Sequence, residues 1–140
     1  MSESSLWREI RTGLDPFMDL IRINEGFAQG IHDVVWLGKK QAGWIELKYV
    51  KEIPTRTFKL GLTTEQALFG MARKRQGWRS SVIAAIGSDY LLFSEFKGDR
   101  DLATLMDRTN LEGWVKNGFT LFEKPMVGKW ESLAEKMGAL

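Results

Sequence analysis

The chain has 140 residues, 44% of them hydrophobic and 27% charged, and a net charge of +2. That is the balance of an ordinary folded protein of one domain's length, able to bury about two-thirds of its unfolded surface, and it argues against a disordered or fibrous polymer. The absence of cysteine excludes disulfides and thiolate metal sites and suits a reducing compartment.

The first residues, MSESSLWREI, contain no apolar signal-type stretch, and no run approaches the ~20 apolar residues of a membrane span, so a cytoplasmic protein with no membrane contact is expected. Ser4 or Ser5 can cap a first helix in which Leu6, Ile10 and Leu14 recur at helical spacing. Gly13 and Asp15-Pro16 end it. A short second piece over Phe17 to Leu20 leads to an edge strand at Ile21 to Ile23.

Asp33 to Leu37 and Gly43 to Val50 are rich in Val, Ile, Trp and Tyr and flank a polar tip, the pattern of a hairpin. A turn centred on Lys39 and Lys40 sets Asp33 opposite Glu46, with Cβ atoms roughly 5 Å apart. Alternation then places Glu46 and Lys48 on one face and Ile45, Leu47 and Tyr49 on the other, the core face. Two carboxylates at that separation repel by about 3 kcal/mol at an effective dielectric of 20, so the pair calls for a proton or a cation. With oxygen ligands and no Cys or ligand-spaced His, the cation expected is Mg²⁺, with Mn²⁺ as a substitute.

Gly30, Asp33 and Glu46-Leu47-Lys48 in this order resemble the PD-(D/E)XK nuclease motif, commonly G-x-P-D, an apolar strand and E-x-K, with His32 standing at the proline position. The segments Ile21-Arg22-Ile23-Asn24-Glu25 and Leu62-Thr63-Thr64-Glu65-Gln66 are similar to the Holliday-junction-resolvase-like and virus-type replication-repair (VRR-NUC) branches. The likeness spans about residues 5–95. It implies a restriction-endonuclease-like fold and a metal held by Asp33, Glu46 and the Leu47 carbonyl. Lys48 would orient or deprotonate the attacking water or stabilise developing charge. Relatives often bring a glutamate from the first helix to the metal, which makes Glu9 the candidate, with Glu25 as its competitor; for both, a solvated surface position is the alternative. Small stand-alone proteins of this kind also suggest a phage or mobile-element origin, and then the host cytoplasm.

A Pro-containing basic loop follows, and Thr63 opens a helix running to about Gln76, with Ala67, Leu68, Met71 and Ala72 on its apolar side. Gln66 has two readings: the second half of a capping box with Thr63, or, by the resemblance, a contributor to the active centre. Ser81 to Ile86 and Tyr90 to Phe96 read as strands joined by Gly87-Ser88-Asp89. Residues 99–140 show helical patterns at Leu102, Leu105 and Met106 and at Trp130, Leu133 and Met137, with a possible strand over Phe119 to Phe122. The fold class expected is therefore α/β, a mixed sheet flanked by helices with a helical C-terminal extension, as one nuclease domain.

Charge is concentrated around the motif. Lys39, Lys40, Lys48, Lys51, Arg56, Lys59, Arg73, Lys74, Arg75 and Arg79 face only three glutamates between Gly38 and Arg79. Apart from Lys48, these are the candidate DNA contacts, with solvation of exposed loops as the alternative for each. Tryptophans are read as core or interface residues except Trp44, which alternation points toward Glu46. His32, the sole histidine, is read as a turn or rim residue, and without a phosphate-binding glycine loop NTP hydrolysis has no support.

The expected function is metal-dependent endonucleolytic cleavage of branched DNA by a homodimer. The alternatives are a repair or replication nuclease acting on flaps or ends, and a catalytically inactive DNA-binding module of the same fold.

Overall fold

The computed structural model describes residues 2–23, 30–51, 55–96 and 102–140. In chain order these form α1 (Glu3–Leu14), β1 (Asp19–Arg22), β2 (Val34–Leu37), β3 (Ala42–Val50), α2 (Thr64–Arg75), β4 (Arg79–Ile86), β5 (Tyr90–Glu95), α3 (Leu102–Met106), α4 (Leu111–Lys116), β6 (Thr120–Glu123) and α5 (Trp130–Met137). The six strands make one sheet in the order β1-β2-β3-β4-β5-β6. Every neighbouring pair is antiparallel except β3 and β4, which run parallel across the α2 crossover.

The register of the central hairpin is Val34 with Ile45 and Val35 with Trp44, the pairing that a turn at Lys39-Lys40 dictates. Since successive strand residues face opposite ways, β3 presents Ile45 and Leu47 to one layer and Trp44, Glu46 and Lys48 to the other. The first layer is apolar: Leu6, Ile10 and Leu14 of α1 and Leu133, Ala134 and Met137 of α5 pack on Ile45, Leu47, Ile83 and Phe93. On the second, Ala67 and Met71 of α2, Leu105 of α3 and Trp114 of α4 cover Val82, Ala84 and Leu92. The strand that carries the charges therefore has a full hydrophobic backing.

Three local expectations change. The cap of α1 is Ser2, whose Oγ accepts the Ser5 N–H at 3.1 Å, so Ser4 and Ser5 lie inside the helix. Residues 17–20 make no helical piece, because the chain turns after α1 and enters β1 at Asp19. On α2 Leu68 is 47% exposed, and the buried stripe is Ala67, Gly70 and Met71. Gly70 is buried because the Phe96 ring lies against it, and a Cβ there would come within 2.5 Å of that ring. In the C-terminal part the strand expected over Phe119 to Phe122 is present as β6 (Thr120–Glu123), between the helices. This part adds β6 to the edge of the sheet beside β5 and supplies half of the α1 layer through α5, while the Arg79 guanidinium donates to the Met137 carbonyl at the end of that helix. Among the described residues, no helix is long and apolar enough to cross a membrane.

Candidate active site

Asp33, Glu46 and Lys48 come together on the α2 side of the sheet. Asp33 stands just before β2, and its Oδ2 accepts the Leu47 N–H at 2.9 Å, which ties the loop acid to the middle of β3. Glu46 is only 1% exposed. Its Oε2 lies 3.4 Å from the Lys48 ammonium, and its Oε1 is buried with no hydrogen-bond partner. Burial, and after it the charge of Asp33, push the Glu46 carboxyl up to about 9, with Lys48 pulling the other way. The metal-free pair therefore keeps a proton at neutral pH. A buried carboxylate oxygen without a partner, beside a second carboxylate whose orientation a backbone amide fixes, suits a hard divalent cation that would displace that proton. Among the described residues, no third acid or imidazole joins the pair.

The loop carrying Asp33 is held from behind by α2. Gly30 has φ +86°, and a Cβ on it would lie 2.6 Å from the Glu65 carbonyl oxygen, so both backbone shape and closeness to α2 require glycine there. Two residues on, His32 is fully buried rather than at a rim. Its Nε2 is 3.0 Å from the Gln66 carbonyl oxygen and its Nδ1 3.4 Å from Ser80 Oγ. A carbonyl only accepts, so Nε2 carries the proton and Nδ1 accepts from the serine. The ring also packs against Phe69 and Phe96, with centroids at 4.7 Å and 5.2 Å. Burial lowers its pKa to about 4, outweighing the Gln66 contact. Neutral and committed on both nitrogens, His32 is a strut between the loop, α2 and β4.

Gln66 resolves toward its first reading. Its Oε1 accepts the Thr63 N–H at 3.0 Å while the Thr63 hydroxyl accepts the Gln66 N–H at 3.1 Å, a complete capping box. Its side chain is thus spent at the helix end, and its backbone carbonyl is what reaches the site, through His32. Glu9 is not brought to Asp33 and Glu46 either. It lies on α1, in the layer covering the opposite face of the sheet, and its Oε2 pairs with the Lys124 ammonium at 2.9 Å. Glu25 lies outside the described residues.

The predicted basic residues divide. Lys39 and Lys40 are exposed at the hairpin turn, and Lys51, Arg56 and Lys59 are exposed beyond the other end of β3. Arg73 lies over the Phe69 ring at 4.7 Å, its Nε buried without a partner, close enough to help lower the His32 pKa. Arg75 is exposed at the end of α2. Lys74 and Arg79 instead both pair with Glu95 of β5, and Arg79 also holds α5, so these two serve the fold. Trp44 is half-buried, edge-on to Phe69 at 5.2 Å.

Sequence reasoning missed two features here. Phe69 is the hub against which His32, Trp44 and Arg73 all lie, and its only advance signal was its place one turn after Gln66. The exposed tryptophan is Trp78, 49% accessible; its position directly after the Gln76-Gly77 helix stop was the available clue.

No family model matches the chain, and no curated protein matches it. Among solved structures, Hjc, a Holliday junction resolvase from the archaeal hyperthermophile Archaeoglobus fulgidus, is similar, with a TM-score of 0.58 and 15% identity over 81% of this chain and 92% of that one. At that identity the likeness shows the fold: a mixed α/β sheet flanked by helices.

Proposed function

We propose that this protein is a divalent-metal-dependent endonuclease that hydrolyses phosphodiester bonds in branched DNA, a Holliday-junction-resolvase-like member of the PD-(D/E)XK nucleases. One observation carries the reading: the paired carboxyls of Asp33 and Glu46, one with a buried unpartnered oxygen, beside the Lys48 ammonium at 3.4 Å. The fold shared with Hjc, the order of the motif along the chain and the basic residues around it all support the reading.

Asp33 and Glu46 would hold Mg²⁺ or Mn²⁺, with the Leu47 carbonyl as a third oxygen by the resemblance. A cation there supplies positive charge against the phosphate and acidifies the water nucleophile. Lys48 projects from the same face two residues on, where its ammonium orients that water and offsets charge developing on the scissile phosphate. The Leu47 N–H keeps Asp33 in place, and His32, held neutral, keeps the loop against α2 without trading protons. Arg73, stacked over Phe69 next to His32, adds positive charge that favours a phosphate at the site. Lys39, Lys40, Lys51, Arg56 and Lys59 track the flanking backbone. A four-way junction is two-fold symmetric and is cut on two strands, so a chain with one site acts as a two-fold homodimer.

The test is cleavage of a four-way junction, a flap and a linear duplex of matched sequence at moderate salt with Mg²⁺, alongside the solution mass. A dimer making paired symmetric nicks in the junction is the expected result, abolished by EDTA and by Asp33→Asn or Glu46→Gln in folded protein, with Ca²⁺ permitting binding but little cutting. A monomer that cuts flaps or ends moves the assignment to a repair nuclease. DNA binding without cleavage in any metal leaves a binding module, and cleavage undiminished in EDTA ends the metal reading.

A further inference from the structure

The Asp33–Glu46 centre is one end of a surface that continues along β3. Extending the parallel register one residue before β4 sets Trp78 beside Ala42, since Arg79 pairs with Gly43. Ala42, Trp44, Glu46 and Lys48 alternate onto the same face. Trp78 therefore lies at the level four strand residues before Glu46, about 13 Å away along the strand. Between the hairpin turn and the loop joining α2 to β4 there is a recess of about 410 Å³, lined by Lys40, Gln41, Gln76, Trp78 and Arg79 among others. Trp78 keeps 49% of its surface open, Lys40 and Gln76 are exposed, and Arg79 is immobilised by Glu95 and the Met137 carbonyl as one wall. Leaving a tryptophan half open costs burial that Trp36 and Trp114, at 1% and 0% exposure, both obtain.

We propose that this recess is a nucleotide subsite, in which Trp78 stacks on an unpaired base of the DNA strand that runs to the Asp33–Glu46–Lys48 centre while Lys40 meets the adjoining phosphate. The proposal rests on the nuclease reading and deepens it. A base inside a duplex already has both faces stacked, so a half-open indole beside a cation selects a base that has left the stack. The separation of about 13 Å corresponds to about four base pairs of duplex rise, and to fewer nucleotides of an extended strand. The subsite thus recognises unpaired DNA a short way from the bond that is cut, as found at a branch point or in a single-stranded arm. Gln76, at the rim, can donate to or accept from a base edge.

The experiment measures, by fluorescence anisotropy in Ca²⁺, the affinity of the full chain for a duplex with a short single-stranded arm and for the same duplex blunt-ended. Wild type, Trp78→Ala, Trp78→Phe and Lys40→Ala are compared. Trp78→Ala is expected to weaken the armed DNA about five- to a hundred-fold, the range for loss of one base stack, and to change the blunt duplex less than two-fold. Trp78→Phe restores most of the loss, and Lys40→Ala weakens both DNAs. Equal weakening of both DNAs by Trp78→Ala, or of neither, with melting temperature unchanged, overturns the subsite. If the wild type discriminates the arm through Trp78 but cuts no DNA in Mg²⁺, the nuclease reading fails and the subsite stands. If it binds neither DNA, both fall.

Discussion

Replacing Glu46 by glutamine separates two properties of one carboxyl. Its pKa is raised to about 9 against an ordinary 4.5, so between those values the folded protein binds a proton that the unfolded chain has released. Stability of the metal-free protein is then fully present below about pH 4.5 as far as this group is concerned, and is lost as pH rises toward 9. We expect thermal melts in EDTA to fall with pH across that window, Glu46→Gln to flatten the dependence and raise the melting temperature near pH 8, and Mg²⁺ to stabilise the wild type but not the variant. His32 has the opposite sign. Its pKa is lowered to about 4, so acid favours the unfolded chain below pH 6.5, removing about 3 kcal/mol by pH 4. His32→Gln should flatten that acid limb. Lys48→Ala is expected to leave the Mg²⁺-induced rise in melting temperature intact while slowing cleavage by about 10²–10⁴; near-normal turnover would reduce Lys48 to a phosphate contact.

At the scale of the element, the N-terminus of α2 is where helix chemistry and site chemistry meet. Thr63 and Gln66 close the capping box, and the same turn presents the Glu65 backbone to Gly30 and the Gln66 carbonyl to His32. Thr63→Ala and Gln66→Ala should each cost about 0.5–2 kcal/mol in denaturant melts and should lower cleavage by the same small factor. Loss of cleavage in Gln66→Ala alone, at equal stability, would return the glutamine side chain to the active centre. The pairing of Arg79 with Glu95 and the Met137 carbonyl likewise assigns that arginine to the junction of β4, β5 and α5. Arg79→Ala is expected to speed amide exchange at the end of α5 and to cost on the order of 1–3 kcal/mol, with less effect on DNA affinity than Lys40→Ala.

Across the whole molecule, exposed cations gather at both ends of β3, Lys39 and Lys40 at one and Lys51, Arg56 and Lys59 at the other, with Glu46 and Lys48 between. Because β3 has nine residues and the cations lie beyond both its ends, these groups stand more than about 30 Å apart, and a DNA backbone touching both crosses the centre. Binding should therefore be steeply salt-dependent. Removing Lys39 and Lys40 together is expected to lower the slope of log affinity against log salt by about 1.8, the counterion release of two phosphate contacts, as measured by anisotropy titrations across a salt series.

The sequence by itself determined the hairpin and the side of it on which the charged residues stand. A turn at Lys39-Lys40 and strict alternation suffice to put Asp33 opposite Glu46 and to aim Glu46 and Lys48 away from the core, because both follow from local backbone geometry. Helix α2 with its cap, and β4 and β5 with their turn, were legible for the same reason. What tertiary structure alone decided depends on distant segments meeting. His32 became a buried strut because Gln66, Ser80 and two phenylalanines converge on it. Glu9 turned to Lys124 because α1 packs on the sheet face opposite Glu46. Lys74 and Arg79 left the pool of free cations because β5 brings Glu95 between them. Trp78 stayed half open because the turn out of α2 sets it at the wall of a recess between that turn and the hairpin tip. Periodicity reports which way a residue points along its own element, and the partner it finds there belongs to the fold.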